Sequence, residues 1–143
     1  MTSQEIQRIA RECGFELAGV AGIETSDFDR YQAWAEAGYA GKMGYLTDHR
    51  AELRRSAKGL LENARSVICV GKLYNTRPEV KDPPISRYAW GDDYHVVMKT
   101  MLERLTAKLQ EREPFDYKIC VDTAPLLERS LAREAGLGWI GKN

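Results

Sequence analysis

The chain has 143 residues, 43% of them hydrophobic and 29% charged, with 21 basic side chains against 21 acidic ones. A chain of this length forms one domain and buries roughly 70% of the surface its unfolded form exposes, so it needs no covalent staple. Zero net charge argues against a domain that holds nucleic acid by bulk charge alone, and no segment approaches the ~20 apolar residues of a membrane span.

Thr2 and Glu5 have capping-box spacing, and Ile6, Ile9, Ala10 and Cys13 then recur at helical period until Gly14. FELAGVAGI (15–23) reads as a short strand. Asp27 is placed to cap a second helix, FDRYQAWAEAG, which Gly38 ends. YAGKMGYLTDHR reads as a loop with a short helix, and the β-rich, nearly uncharged SVICVGKLY (66–74) as a central strand. Asn75 to Trp90 carries Pro78, Pro83 and Pro84 and reads as a long exposed loop.

Asp92 or Asp93 opens the longest helix, with Val96, Val97, Met101, Leu102, Leu105 and Leu109 on one side and Pro114 after its end. YKICVDT (117–123) reads as a third strand. PLLERSLAREAG reads as a last helix, with Pro125 in its first turn and Gly136 as its stop. The alternation predicts an α/β fold, a parallel or mixed sheet flanked by helices.

The start, MTSQEIQRIA, lacks a signal-peptide core, so the cytoplasm is the expected compartment. Cys13, Cys69 and Cys120 are far apart and form no C-x-x-C pair, which predicts core thiols rather than a zinc or iron-sulfur site. His49 and His95 are too isolated to argue for a metal.

Three stretches could carry chemistry. Asp122 ends an apolar run before a helix. It suits a helix N-cap, and it equally suits an acid facing a cleft at a strand end, where desolvation favours the protonated form. SRYAWGDDYH, Ser86 to His95, groups Arg87, three aromatics and His95 beside Gly91, a mixture that lines pockets for large planar ligands or simply packs a loop onto a helix with His95 on the surface. Arg50, Arg54, Arg55 and Lys58 in HRAELRRSAKG share part of a helical surface, which is either a phosphate- or carboxamide-binding face or a solvated one. AGLGWIGKN is glycine-rich but is not G-x-G-x-x-G after a strand; Trp139 and Lys142 there could approach a ligand closely.

Taken together, these motifs resemble the epoxyqueuosine reductase family. VDTAPLLERSLAREAGLGWIGKN resembles its central motif, SRYAWGDDYH its R-Y-A-x-G-x-D-Y-H element, YQAWAEAGYAGKMGYL its W-x-x-x-G-x-x-G-x-M-x-Y-L segment, and ARSVICVGKLY the segment before the loop. The resemblance runs from about Ser3 to Asn143. It implies an α+β sandwich related to nitroreductase-like and reductive-dehalogenase corrinoid domains. It also implies that residues 1–143 are the cobalamin-binding N-terminal part of a longer enzyme, with the [4Fe-4S] clusters in a missing downstream region.

The activity implied is reduction of the epoxide of epoxyqueuosine to queuosine, the last step of queuosine biosynthesis. The partners implied are tRNA carrying epoxyqueuosine and an external electron donor. By resemblance Asp122 is the proton donor, and Arg54, Ser86 and Asp122 contact the corrin. Two other readings stand beside it: a stand-alone corrinoid-binding module, and a related corrinoid or flavin reductase acting on a small molecule.

Overall fold

The structure, a computed structural model, describes residues 1–74 and 85–141. The expected proline-rich loop falls mainly on residues 75–84, and Lys142 on the last two positions; both lie outside the described residues.

Helix α1 (Ser3–Glu12) starts as its sequence dictates. The Thr2 hydroxyl accepts from the Glu5 N–H, and the Glu5 carboxylate accepts from the Thr2 N–H at 2.8 Å, the reciprocal capping box. Its apolar stripe, Ile6, Ile9 and Ala10, is buried together with Cys13 and Phe15. Leu105 and Leu109 of helix α3 (Tyr94–Gln110) complete this core. A fully buried leucine or phenylalanine contributes roughly 1.5–3 kcal/mol, so this small cluster anchors the two helices to each other.

Strands β1 (Leu17–Ala21) and β2 (Val67–Gly71) pair antiparallel, with Gly19 opposite Cys69. Alternation splits the sheet into two faces. Ala18, Val20, Ile68 and Val70 pack on the α1–α3 core. Gly19 lies on the other face, against the end of helix α4 (Glu128–Glu134). The result is an α/β sandwich with helices on both faces of a small sheet.

Several sequence expectations are corrected. β2 was expected in the centre of a larger sheet, but among the described residues the sheet has two strands. YKICVDT is not a strand: residues 114–121 run without a ladder partner, and β propensity alone does not make one. Val96 and Val97 do not join the core; Val96 is 62% exposed, because α3 turns the face of Leu105 and Leu109 inward.

Helix α2 (Phe28–Glu36) does follow Asp27, but the Asp27 side chain makes no capping bond and meets Arg133 at 3.1 Å instead. Helix α4 begins at Glu128, not at Pro125. The Leu126 N–H turns back to the Ala124 carbonyl at 2.8 Å around the proline, which delays the first helical turn. The expected stop holds: Gly136 has φ +79°, open to glycine without strain.

Candidate active site

Asp122 sits on a tight turn. Its φ is +60°, the only non-glycine residue with positive φ among those described, and the Thr123 N–H donates to the Val121 carbonyl across it at 2.7 Å. Aspartate tolerates this region better than most side chains, but such backbone is sparsely populated and recurs at functional sites. The N-cap reading fails: α4 is capped at Leu127, and Asp122 lies further upstream.

The turn aims the Asp122 carboxylate at the N-terminus of α3. Its Oδ2 accepts the Tyr94 hydroxyl at 3.1 Å and lies 3.6 Å from His95 Nε2. Its Oδ1 accepts nothing among the described residues. The side chain is 64% exposed, so the desolvation expected from the strand-end placement is absent in the open site.

α3 positions both partners from its first turn. Asp93 is the N-cap: its Oδ1 accepts the His95 N–H at 2.9 Å and lies 2.9 Å from His95 Nδ1. The imidazole is thereby held between Asp93 and Asp122, stacked on the Tyr94 ring with centroids 4.0 Å apart. Its pKa is raised, first by the Asp93 hydrogen bond, and Asp122 adds to this. Tyr94 is raised by partial burial and then by Asp122.

Glu128 closes the group from α4. Its carboxylate stands near enough to Asp122 to feel its charge. Although the residue keeps open surface, burial of the carboxylate pushes its pKa up, and the Asp122 charge adds to that.

Edge-to-face rings extend from this group: Tyr94 with Tyr88 at 6.0 Å and Tyr88 with Tyr74 at 6.3 Å. Tyr74 and Tyr88 are exposed, so their rings form an apolar ledge leading away from the Tyr94–Asp122 pair. Ser86 precedes the 3-10 turn Arg87–Ala89 on this ledge; its carbonyl accepts the Ala89 N–H, and its hydroxyl makes no capping bond. Arg87 lies over the Trp90 ring at 5.8 Å. Trp139 is fully exposed and lines a shallow hollow of about 290 Å³ with Arg129, Arg133 and Ile140.

Arg54 belongs to a different cluster. HRAELRRSAKG is not one helix but two 3-10 turns, Glu52–Arg55 and Ala57–Gly59, tied to the segment after β1 by the Ala57 N–H to Ile23 carbonyl bond at 2.7 Å. Its cations therefore diverge. Arg50 grips Asp48, whose carboxyl is held down to about 2, and Arg55 pairs with Glu52 over the Phe28 ring. Arg54 turns inward, only 9% exposed, donating to the Arg50 and Tyr45 carbonyls and facing the Tyr31 ring at 5.6 Å. Among the described residues it has no carboxylate partner, and no hydrogen bond or ion pair joins it to Asp122.

Sequence reasoning thus found Asp122 and, separately, the stretch that holds Tyr94 and His95, but it did not bring them together and did not single out Glu128. The D-Y-H run at a helix start was the available signal, since an N-cap fixes the direction of the residues that follow it.

Residues 54–123 match the family model described as "Epoxyqueuosine reductase QueG, DUF1730". The whole chain is similar to solved structures as well. It superposes on epoxyqueuosine reductase from Streptococcus thermophilus with TM-score 0.79 and 30% identity, covering 97% of this chain and 40% of that one. The chain belongs to the epoxyqueuosine reductase family.

Other epoxyqueuosine reductases agree. The one from Gloeobacter violaceus is 40% identical across 99% of this chain and 46% of its own length, and that from Xanthomonas campestris pv. campestris is 36% identical across 96% and 42%. The crystal structure of an epoxyqueuosine reductase with a tRNA-Tyr epoxyqueuosine-modified tRNA stem loop matches with TM-score 0.78 and 29% identity, over 95% of this chain and 38% of that one. The chain therefore spans less than half the length of the epoxyqueuosine reductases it matches. No helix among the described residues is long and apolar enough to cross a membrane.

Proposed function

We propose that residues 1–143 are the cobalamin-binding part of a cytoplasmic epoxyqueuosine reductase, which reduces epoxyqueuosine in tRNA to queuosine. The [4Fe-4S] clusters are assigned to sequence outside this chain, in keeping with its share of the relatives' length, and the electrons to an external donor. The observation that carries the reading is the placement of Asp122: a carboxylate fixed through Oδ2, with Oδ1 open, at the edge of an exposed aromatic ledge.

The residues present fit a corrinoid, a large macrocycle with apolar faces and an amide rim. The Tyr74–Tyr88 ledge offers apolar area, the exposed Ser86 offers a hydroxyl without a capping bond, and Asp122 Oδ1 offers an acceptor. Arg54 is read as a further contact through guanidinium N–H groups not spent on the Arg50 and Tyr45 carbonyls. Bound there, the reduced corrinoid supplies the electrons that turn an epoxide into an alkene.

Asp122 supplies the proton. A ligand and substrate covering it remove its water, and desolvation favours the protonated carboxyl. Protonation of the departing oxygen by a positioned acid accelerates such steps by about 10²–10⁴-fold.

The test is anaerobic turnover of an epoxyqueuosine-bearing stem loop by the cofactor-loaded reductase, followed by mass of the product nucleoside. Asp122→Asn is expected to keep cobalamin binding and lose most reduction. Unchanged turnover would remove Asp122 as the acid. Cobalamin binding with no reduction by the wild-type reductase would favour a corrinoid carrier.

A further inference from the structure

Reduction of an epoxide to an alkene consumes two electrons and two protons and releases one water. Asp122 holds one proton, so it must be recharged within each turnover. This inference rests on the reading of Asp122 as the acid.

We propose that His95, oriented by Asp93 and stacked on Tyr94, is the positioning residue that returns a proton to Asp122 between the two protonations. The geometry that carries this is the Asp93–His95–Asp122 line. Asp93 Oδ1 meets Nδ1 at 2.9 Å, and Nε2 faces Asp122 Oδ2 at 3.6 Å, a loose contact of the kind that tightens when substrate docks. Asp93 fixes which ring nitrogen points at Asp122. Tyr94 holds the same Oδ2 at 3.1 Å, so Oδ1 stays toward the open side.

The proton ledger closes. Asp122 gives its proton to the epoxide oxygen as the first C–O bond breaks. The His95 Nε2 proton then passes to the Asp122 carboxylate, leaving a neutral imidazole with its Nδ1–H on Asp93. Rotation about the Asp122 Cβ–Cγ bond, open because the side chain is exposed, turns the protonated oxygen back to the substrate. That proton leaves with the hydroxyl as water while the carbon–carbon double bond forms. The two electrons come from the reduced corrinoid. His95 itself is 41% exposed and recovers its proton from solvent.

The charged and titratable groups facing His95 are Asp93 and Tyr94 from the start of α3 and Asp122 from the turn before α4. Glu128 stands on the far side of Asp122 and interacts with its charge. The two carboxylates beside the ring raise its proton affinity, so the charged form persists above the ordinary histidine range and is lost as pH rises through the raised value.

Two readouts test this. The first is NMR titration of the His95 imidazole, told apart from His49, the other histidine of these 143 residues, and from any other signal by its loss in His95→Gln. The His95 titration is expected to move down in Asp122→Asn; an unmoved curve overturns the coupling. The second is kcat against pH for the loaded reductase. Wild type is expected to lose rate as pH rises through the His95 value. His95→Gln is expected to lose that limb and run roughly 10–100-fold slower below it, with KM unchanged.

A His95→Gln enzyme that keeps the wild-type limb and rate would overturn the relay while leaving Asp122 as the acid. Absence of turnover in wild type would instead remove the epoxide-reduction reading and the relay with it, whatever the NMR coupling.

Discussion

The backbone of β1 at Gly19 lies directly against the end of α4: a Cβ there would stand 2.1 Å from the Ala135 carbonyl oxygen and 2.9 Å from the Leu137 side chain. No side chain fits in that gap, so glycine is what allows α4, and the Asp122 turn before it, to settle on the sheet.

Gly19→Ala is therefore expected to destabilise the protein by about 1–3 kcal/mol, the usual cost of overpacking. Gly138→Ala, where an added Cβ meets nothing within 4 Å, should stay within about 0.5 kcal/mol. Urea unfolding midpoints of the two variants check this. Equal midpoints would mean that α4 does not dock on β1 as described.

Glu134 ties the same helix to the segment before α2. Its Oε1 accepts the Thr25 hydroxyl at 2.7 Å and the Ser26 N–H and hydroxyl at 3.2 Å each. Burial pushes its pKa up, but these hydrogen bonds and the Arg133 charge outweigh it and hold it below the ordinary glutamate value. A depressed folded pKa stabilises the protein above the ordinary value, and that stability is lost as pH falls through the folded value. Glu134→Gln should lower the midpoint at neutral pH and soften the loss below about pH 4.5. An acid limb identical to wild type would show that Glu134 carries no such linkage.

Asp93 has two separable duties. As N-cap of α3 it accepts the His95 N–H, and as a charge it raises the His95 pKa. Asp93→Ala should cost about 1 kcal/mol at any pH from loss of the cap. Asp93→Asn keeps the cap and removes only the charge. A raised histidine pKa stabilises the fold below the ordinary value, and this is lost as pH rises through the folded value. Thermal melts should therefore separate Asp93→Asn from wild type below about pH 6.5 and bring them together at alkaline pH. A pH-independent difference would mean that the cap alone matters.

Cys69 faces Gly19 across the sheet, and burial pushes its thiol up to about 11. Its thiolate fraction at pH 8 should be about 100-fold below that of an open cysteine. Iodoacetamide labelling followed by peptide mass should show Cys69 modified only on unfolding; rapid labelling in native buffer would contradict the packing of α4 over the sheet.

Elements whose signals are local were legible in the sequence. The Thr2–Glu5 box, the stripe of Ile6, Ile9 and Ala10, the Asp93 cap and the Gly136 stop all act within one or two helical turns, and all appear as expected. Val67–Gly71 is a strand as its composition predicts, and Asp122 stood out as an acid ending an apolar run.

What the tertiary structure decided involves partners distant in sequence. Asp27 has cap chemistry, but Arg133, more than a hundred residues on, offers it a charge, and the ion pair replaces the capping bond. YKICV has strand propensity, yet a ladder needs a neighbour, and none stands beside it among the described residues. Arg54 reads as one of four surface cations, and only the folding of its segment onto Tyr31 and the Tyr45 carbonyl turns it inward. Asp122 gains its meaning the same way: sequence supplied a carboxylate, and the docking of α4 on β1 set it against Tyr94 and His95 of α3. Local propensity is written within a few residues of each position, whereas the environment of a side chain is set by whichever elements the core brings beside it.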